Sequence, residues 1–199
     1  MLGAVAAVAV VLGCVAPACA AAAAEPLGCG GFVRLSEAFR ARGSADLSAV
    51  RVELRRGSTV TFATECSPAG YFFLPAYEPG EYTVAVDAAA GYAFDTAAQR
   101  VTLGAGAAPA DALTFTVTGF TVAGALAAPV TTRVELRDAA TGAAVATATA
   151  DAATGAFAFA GVLPGAYVAA PVHDGWSFAP AEAAVDATGR VPATLNVPA

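Results

Sequence analysis

Short runs of alternating apolar and polar residues recur along the chain. In "RVELR", Val52 and Leu54 fall on one side, and Arg51, Glu53 and Arg55 on the other. "EYTVAV" puts Tyr82, Val84 and Val86 on one face, and "LTFTVT" sets Leu113, Phe115 and Val117 against three threonines. A period of two marks half-buried strands, and turn signals every ~8–12 residues between short strands predict an antiparallel sandwich. No long stretch carries the 3.6-residue period of an amphipathic helix. The segment Ala88–Ala90 is short and flanked by Gly91, so it reads as a loop.

The pattern then repeats. "RVELR" returns at Arg133–Arg137, and "GYFFLPAYEPGEYTV" from Gly70 aligns with "GAFAFAGVLPGAYVA" from Gly155. "GYAF" at Gly91–Phe94 matches "GWSF" at Gly175–Phe178. A repeat of this kind predicts tandem domains, here residues 25–117 and 118–199. The first copy holds an extra segment, "SEAFRARGSADLS" (Ser36–Ser48), which reads as a loop or short helical turn. The junction "TVTGFTVAG" leaves almost no linker and predicts limited freedom between the domains.

The residues common to both copies have structural roles. Gly70 and Gly155 follow polar turns and are expected to take a positive φ. Phe72 and Leu74, like Phe157 and Phe159, are expected to point into the core. Pro79-Gly80 and Pro164-Gly165 suit the centre of type II turns. Tyr82 and Tyr167 follow two residues later, placed to bury their rings and bond the turn backbone through their hydroxyls.

Composition changes the picture in three ways. The chain has 199 residues, 57% of them hydrophobic, enough for a packed core although alanine inflates the figure. Net charge is −6 and all ten basic residues are scattered arginines, which argues against nucleic acid and against anionic lipid surfaces. Residues 1–24 carry no charged side chain and end in small residues, so they read as a secretory signal cleaved near Ala20 or Ala24. A retained signal anchor is the alternative. A lipoprotein reading at Cys14 is weakened by the lack of basic residues near Met1.

With Cys14 and Cys19 in the signal, Cys29 and Cys66 remain. In a secretory context a Cys29–Cys66 disulfide is expected, worth ~4 kcal/mol on the chain-entropy model. Two buried free thiols are the other reading.

Catalytic chemistry has no visible carriers. His173 has no partner for a zinc site or a nucleophile, and no phosphate-binding or Gly-x-Ser-x-Gly motif is present. "DAATG" is too sparse for calcium. The expectation is therefore no enzyme, no cofactor and no metal. Trp176 and its counterpart Tyr92 read as aromatics closing the sandwich ends, with a glycan-stacking surface as the alternative.

The pattern Gly-x-Phe, then Pro-Gly-x-Tyr-x-Val, resembles the carboxypeptidase-regulatory-like, or prealbumin-like, sandwich. "GCGGFV" (Gly28–Val33), "ECSPAGYFFLPAYEPGEY", "TFTVTGFTVAGAL" and "GWSF" together resemble the N-terminal part of the nodal modulator family. That resemblance implies two domains of an all-β lumenal rod anchored in the endoplasmic reticulum membrane. It also implies protein partners, nicalin and a small multipass protein, in a complex that joins the translocon during multipass membrane-protein insertion. Family members are much longer, so by this resemblance the chain looks like a fragment or a truncated gene model. A secreted carbohydrate-binding module is the alternative function.

Overall fold

A computed structural model describes residues 27–87, 91–104, 113–127, 131–172 and 182–187, and the backbone of 195–197. Ala20, Ala24, Ala88–Ala90, His173 and Trp176 lie outside the described residues. No helix among the described residues is long and apolar enough to cross a membrane.

The first sandwich pairs two sheets. One runs β3 (Thr59–Glu65), β2 (Arg51–Arg56), β5 (Gly80–Val86), β7 (Ala98–Leu103). The other holds β4 (Tyr71–Ala76), β1 (Leu27–Leu35) and the first part of β8 (Leu113–Leu126), with β6 (Tyr92–Phe94) also on β8. In the second sandwich, β10 (Ala144–Thr149), β9 (Arg133–Asp138), β12 (Gly165–Val172) and β13 (Ala183–Ala187) form one sheet. β11 (Ala156–Val162) and β14 (Leu195–Val197) pair with the second part of β8. The expected all-β tandem sandwiches are what the chain forms.

Two pairings are parallel, β1 with β8 and β8 with β14, where antiparallel pairing was expected throughout. In each case the strands of the opposite sheet intervene in sequence. The chain therefore returns by a crossover rather than a hairpin, which is what parallel pairing requires.

Alternation sets the core. Val52, Leu54, Val84, Phe115, Val117, Val134 and Leu136 have no exposed surface. The repeated "RVELR" turns its charges outward as matching ladders: Glu53 bonds Arg51 and Arg55, and Glu135 bonds Arg133 and Arg137. Such exposed pairs contribute about 0–1 kcal/mol each, so the repeat is conserved between copies mainly through Val and Leu burial.

Gly70 (φ +82°) and Gly155 (φ +69°) take the expected left-handed conformation. The type II turns do not form. Gly80 has φ +150° and Gly165 has no positive φ; each instead opens a strand. Gly165 is small because a Cβ there would press on the Tyr167 ring, 3.1 Å from its hydroxyl. The tyrosine hydroxyls act as expected: Tyr82 donates to the Glu78 carbonyl (2.8 Å) and Tyr167 to that of Leu163 (2.9 Å).

Candidate functional site

The feature that distinguishes this chain from two unrelated sandwiches is its joint. β8 serves both domains without a break. Its Leu113–Val117 part lies parallel to β1, closing the first sandwich as β14 closes the second. Its Phe120–Ala125 part pairs with β11 as β1 pairs with β4, opening the second sandwich. The expected boundary at 117/118 falls inside this strand.

The local sequence shows how one strand feeds two cores. Phe115 and Val117 are buried at odd positions, then Phe120, Val122 and Leu126 at even ones. The switch coincides with a register shift against β6, where Ala93 faces Gly119 and Phe94 faces Val117, leaving Thr118 bulged. A bulge adds one residue and so changes which side chains point inward. Gly119 is needed there because a Cβ would overlap the backbone of Gly161.

Three side chains lock the joint. Phe120 packs between Phe39 (ring centroids 5.2 Å apart) and Tyr92 (5.5 Å), and all three are buried. Phe39 comes from α1 (Glu37–Arg40), inside the extra segment, whose start is capped by the Ser36 hydroxyl accepting from the Phe39 amide. Arg42 in the same segment donates to the Tyr167 hydroxyl of the second sandwich (3.3 Å). Its charge also helps, after hydrogen bonds from Thr141 and Ala140, to hold the Asp138 carboxyl below its ordinary range. The extra segment is thus a loop and short helix, as its sequence suggested, and it clasps the neighbouring domain.

Tyr92 is not part of an aromatic surface. It is 5% exposed, and its hydroxyl donates to the Asp46 carbonyl (3.1 Å). Burial, and then the Asp46 charge, raise its pKa. Its ring closes the joint, and the alternative of a glycan-stacking surface has no exposed ring at Tyr92. The exposed aromatics are others: Tyr71, Phe73 and Tyr77.

"GCGGFV" is also explained by packing. Side chains at Gly28 and Gly30 would meet the Phe73 ring, and one at Gly31 would overlap the Leu113 carbonyl and crowd Phe72. Cys29 points inward between them, and Cys66 follows β3; both are free, buried thiols. The expected Cys29–Cys66 bond is not formed in the structure. Burial raises both pKa values, that of Cys66 to about 11. Pairing registers place Val122 at the position of Cys29 in the second sandwich. Matching amide bonds, Cys66 to Val50 and Ala150 to Thr132, place Ala150 at that of Cys66. Both counterparts are buried, so the thiols occupy ordinary core positions. The turn that follows is one residue longer in the second copy, with four residues between Ala150 and Gly155 against three between Cys66 and Gly70.

Asp138 and Asp151, each opening a "DAATG", cap their own turns. Each carboxylate accepts from the amide and hydroxyl of the threonine three residues on. No cluster of potential metal ligands occurs among the described residues. Phe39, Arg42 and Phe120 were not singled out from sequence. The signal available was the parity change across "TFTVTGFTV", together with a segment present in one copy only.

Residues 33–110 match the family described as BOS complex subunit NOMO1-like, first β-sandwich domain, and residues 112–196 match the second β-sandwich domain of the same family. Human BOS complex subunits NOMO3 and NOMO1 are each 28% identical over 172 residues, covering 81% of this chain. The chain spans about 14% of the length of these relatives. Among solved structures, the Bacillus anthracis TIE protein is similar over 87% of this chain and 33% of its own, at 13% identity and a TM-score of 0.37. That likeness is too slight to carry an argument. The chain belongs to the NOMO1-like, or nodal modulator, family, of which it carries the first two β-sandwich domains.

Proposed function

We propose that the chain is a non-catalytic, stiff lumenal spacer of a BOS-type complex of the endoplasmic reticulum membrane. The observation that carries this reading is β8, a single strand shared by two sandwiches and clasped by Phe39 and Arg42. Hydrogen-bonded strand continuity leaves no flexible linker to absorb rotation, so surfaces on the two domains are held at a fixed spacing. Within the full-length protein this section would hold partners, nicalin-like and small multipass proteins, at a set distance from the translocon as multipass proteins insert. Membership of the NOMO1-like family supports the assembly and, through its BOS complex relatives, a role without turnover.

Two measurements test it. Small-angle scattering of the chain should fit one shape, and a broad or bimodal distribution of shapes would overturn the stiff spacer. The full-length protein carrying this section should be protease-protected in sealed microsomes and co-purify with translocon components. Protease access from outside, or no co-purification, would overturn the location and the partners.

A further inference from the structure

Each sandwich has a cleft between the edges of its two sheets, about 230 Å³ in the first and about 170 Å³ in the second. The two clefts are the same place in the repeat. Leu54 opposes Phe62 as Leu136 opposes Ala146, and Tyr77 and Tyr82 lie 85 residues before Val162 and Tyr167. Phe62, Tyr77 and Tyr82 line the first cleft, and Ala146, Val162 and Tyr167 line the second. Each cleft also holds one arginine, and there they differ. In the second it is Arg42, which arrives from the first sandwich; in the first it is Arg56, from that sandwich's own β2.

The second cleft shows what fills such a place. The loop after α1 reaches across from the neighbouring domain, with Gly43 against Pro164 and Arg42 donating to the Tyr167 hydroxyl. The charge that Arg42 meets there is the Asp138 carboxylate. Asp138 ends β9, "RVELRD", and pairs in register with Tyr167; its counterpart at the end of β2, "RVELRR", is Arg56. The receiving charge is therefore reversed in the first cleft. We infer that the first cleft is a docking site for a loop of a separate polypeptide that presents a carboxylate, and that Arg56 receives it as Asp138 meets Arg42. The site belongs to the first sandwich and stands whether or not the chain serves as a spacer.

Arg56 is placed for this role. Its guanidinium lies 5.8 Å from the Tyr82 ring centroid and is bonded to Glu78, whose side chain is 71% exposed. An exposed pair of this kind is weak, and a guanidinium has five donors, so an incoming carboxylate can join Glu78 or replace it. The apolar surface agrees. Phe62 and Tyr77 are 38% and 74% exposed, where the second sandwich has an alanine and a buried valine. Exposed Tyr and Phe beside Arg are the residue types enriched at protein interfaces.

Photo-crosslinking in intact cells tests this, on the full-length protein with p-benzoylphenylalanine in place of Tyr77. The expected adduct joins a fragment of another protein that carries Asp or Glu at or beside the point of attachment. Arg56→Glu should lower its yield about tenfold or more and Arg56→Lys should retain it, with the thermal transition unchanged in both. The control is Val145, which borders the filled cleft: the same probe there should attach to the loop around Arg42. Failure of the control would remove the precedent and overturn the proposal. So would no adduct at Tyr77, an adduct to residues 1–26 or to a second copy of this chain, a partner fragment without an acidic residue, or a yield indifferent to Arg56→Glu.

Discussion

Tyr92 of the first sandwich stacks on Phe120 at the start of the second, with ring centroids 5.5 Å apart and planes inclined by 26°. The contact joins two residues that sequence places in different domains, and Phe39 completes it from the other side.

Phe120→Ala should therefore destabilise both sandwiches together. Truncating a buried phenylalanine costs about 3–5 kcal/mol. Chemical denaturation is expected to change from one transition to two as the domains uncouple. A single transition with an unchanged midpoint would contradict the role given to the ring.

Arg42→Ala removes one hydrogen bond to the partly buried Tyr167 hydroxyl. Tyr167 keeps its own bond to Leu163, so stability should fall by only about 1 kcal/mol. The informative readout is orientation. Residual dipolar couplings should show greater interdomain freedom in the variant, and identical alignment tensors for wild type and variant would show that β8 alone fixes the joint.

Gly31→Ala is expected to be among the most damaging single changes in the first sandwich. The added methyl would overlap the Leu113 carbonyl on the neighbouring strand, and backbone cannot give way as a flexible side chain can. A loss of about 1–3 kcal/mol or more is expected from overpacking. Gly57→Ala, where nothing lies within 4 Å but φ is +61°, separates steric overlap from backbone strain.

The cysteines predict a dependence on alkaline pH. Burial raises Cys66 from the ordinary 9.0 to about 11, so the folded state holds the thiol proton more tightly than the unfolded state. The stabilisation is complete below pH 9 and is lost as pH rises towards 11. Melting temperature should fall across that window, and Cys66→Ala should flatten the fall. Alkylation without reductant should label both cysteines only after unfolding. A linked Cys29–Cys66 peptide would instead establish the bond expected from the secretory context.

Acid should act in the opposite sense. Hydrogen bonds from Arg55 hold the Glu53 carboxyl low, and Arg137 does the same for Glu135. Turn amides and threonine hydroxyls lower Asp138 and Asp151. Each contributes stability that is present above the ordinary carboxylate range and lost as pH falls below it. Glu135→Gln should reduce the pH dependence of unfolding below about pH 4.5 more than it changes stability at neutrality.

Much of the fold is local and was legible as such. Alternation at Val52 and Leu54, or at Phe72 and Leu74, fixes which face is buried whatever the strand's partner. The positive φ at Gly70 and Gly155 follows from a turn a few residues long. The tyrosine hydroxyls reach carbonyls only four residues back. Each of these depends on neighbours in sequence, and the repeat displays each twice.

What sequence determined, then, was two copies of one sandwich, their inward faces and the absence of a recognisable catalytic motif. Tertiary structure decided what depends on distant partners. It decided what the Tyr92 ring closes, a joint with the second sandwich, because Phe120 and Asp46 meet it only after folding. It gave β8 to both domains, because a bulge at Thr118 changes which side chains point inward without ending the strand. It left Cys29 and Cys66 as unpaired thiols in positions that Val122 and Ala150 fill in the other copy. Side-chain periodicity is written along a strand, but the identity of the strand beside it is set by packing across the whole chain.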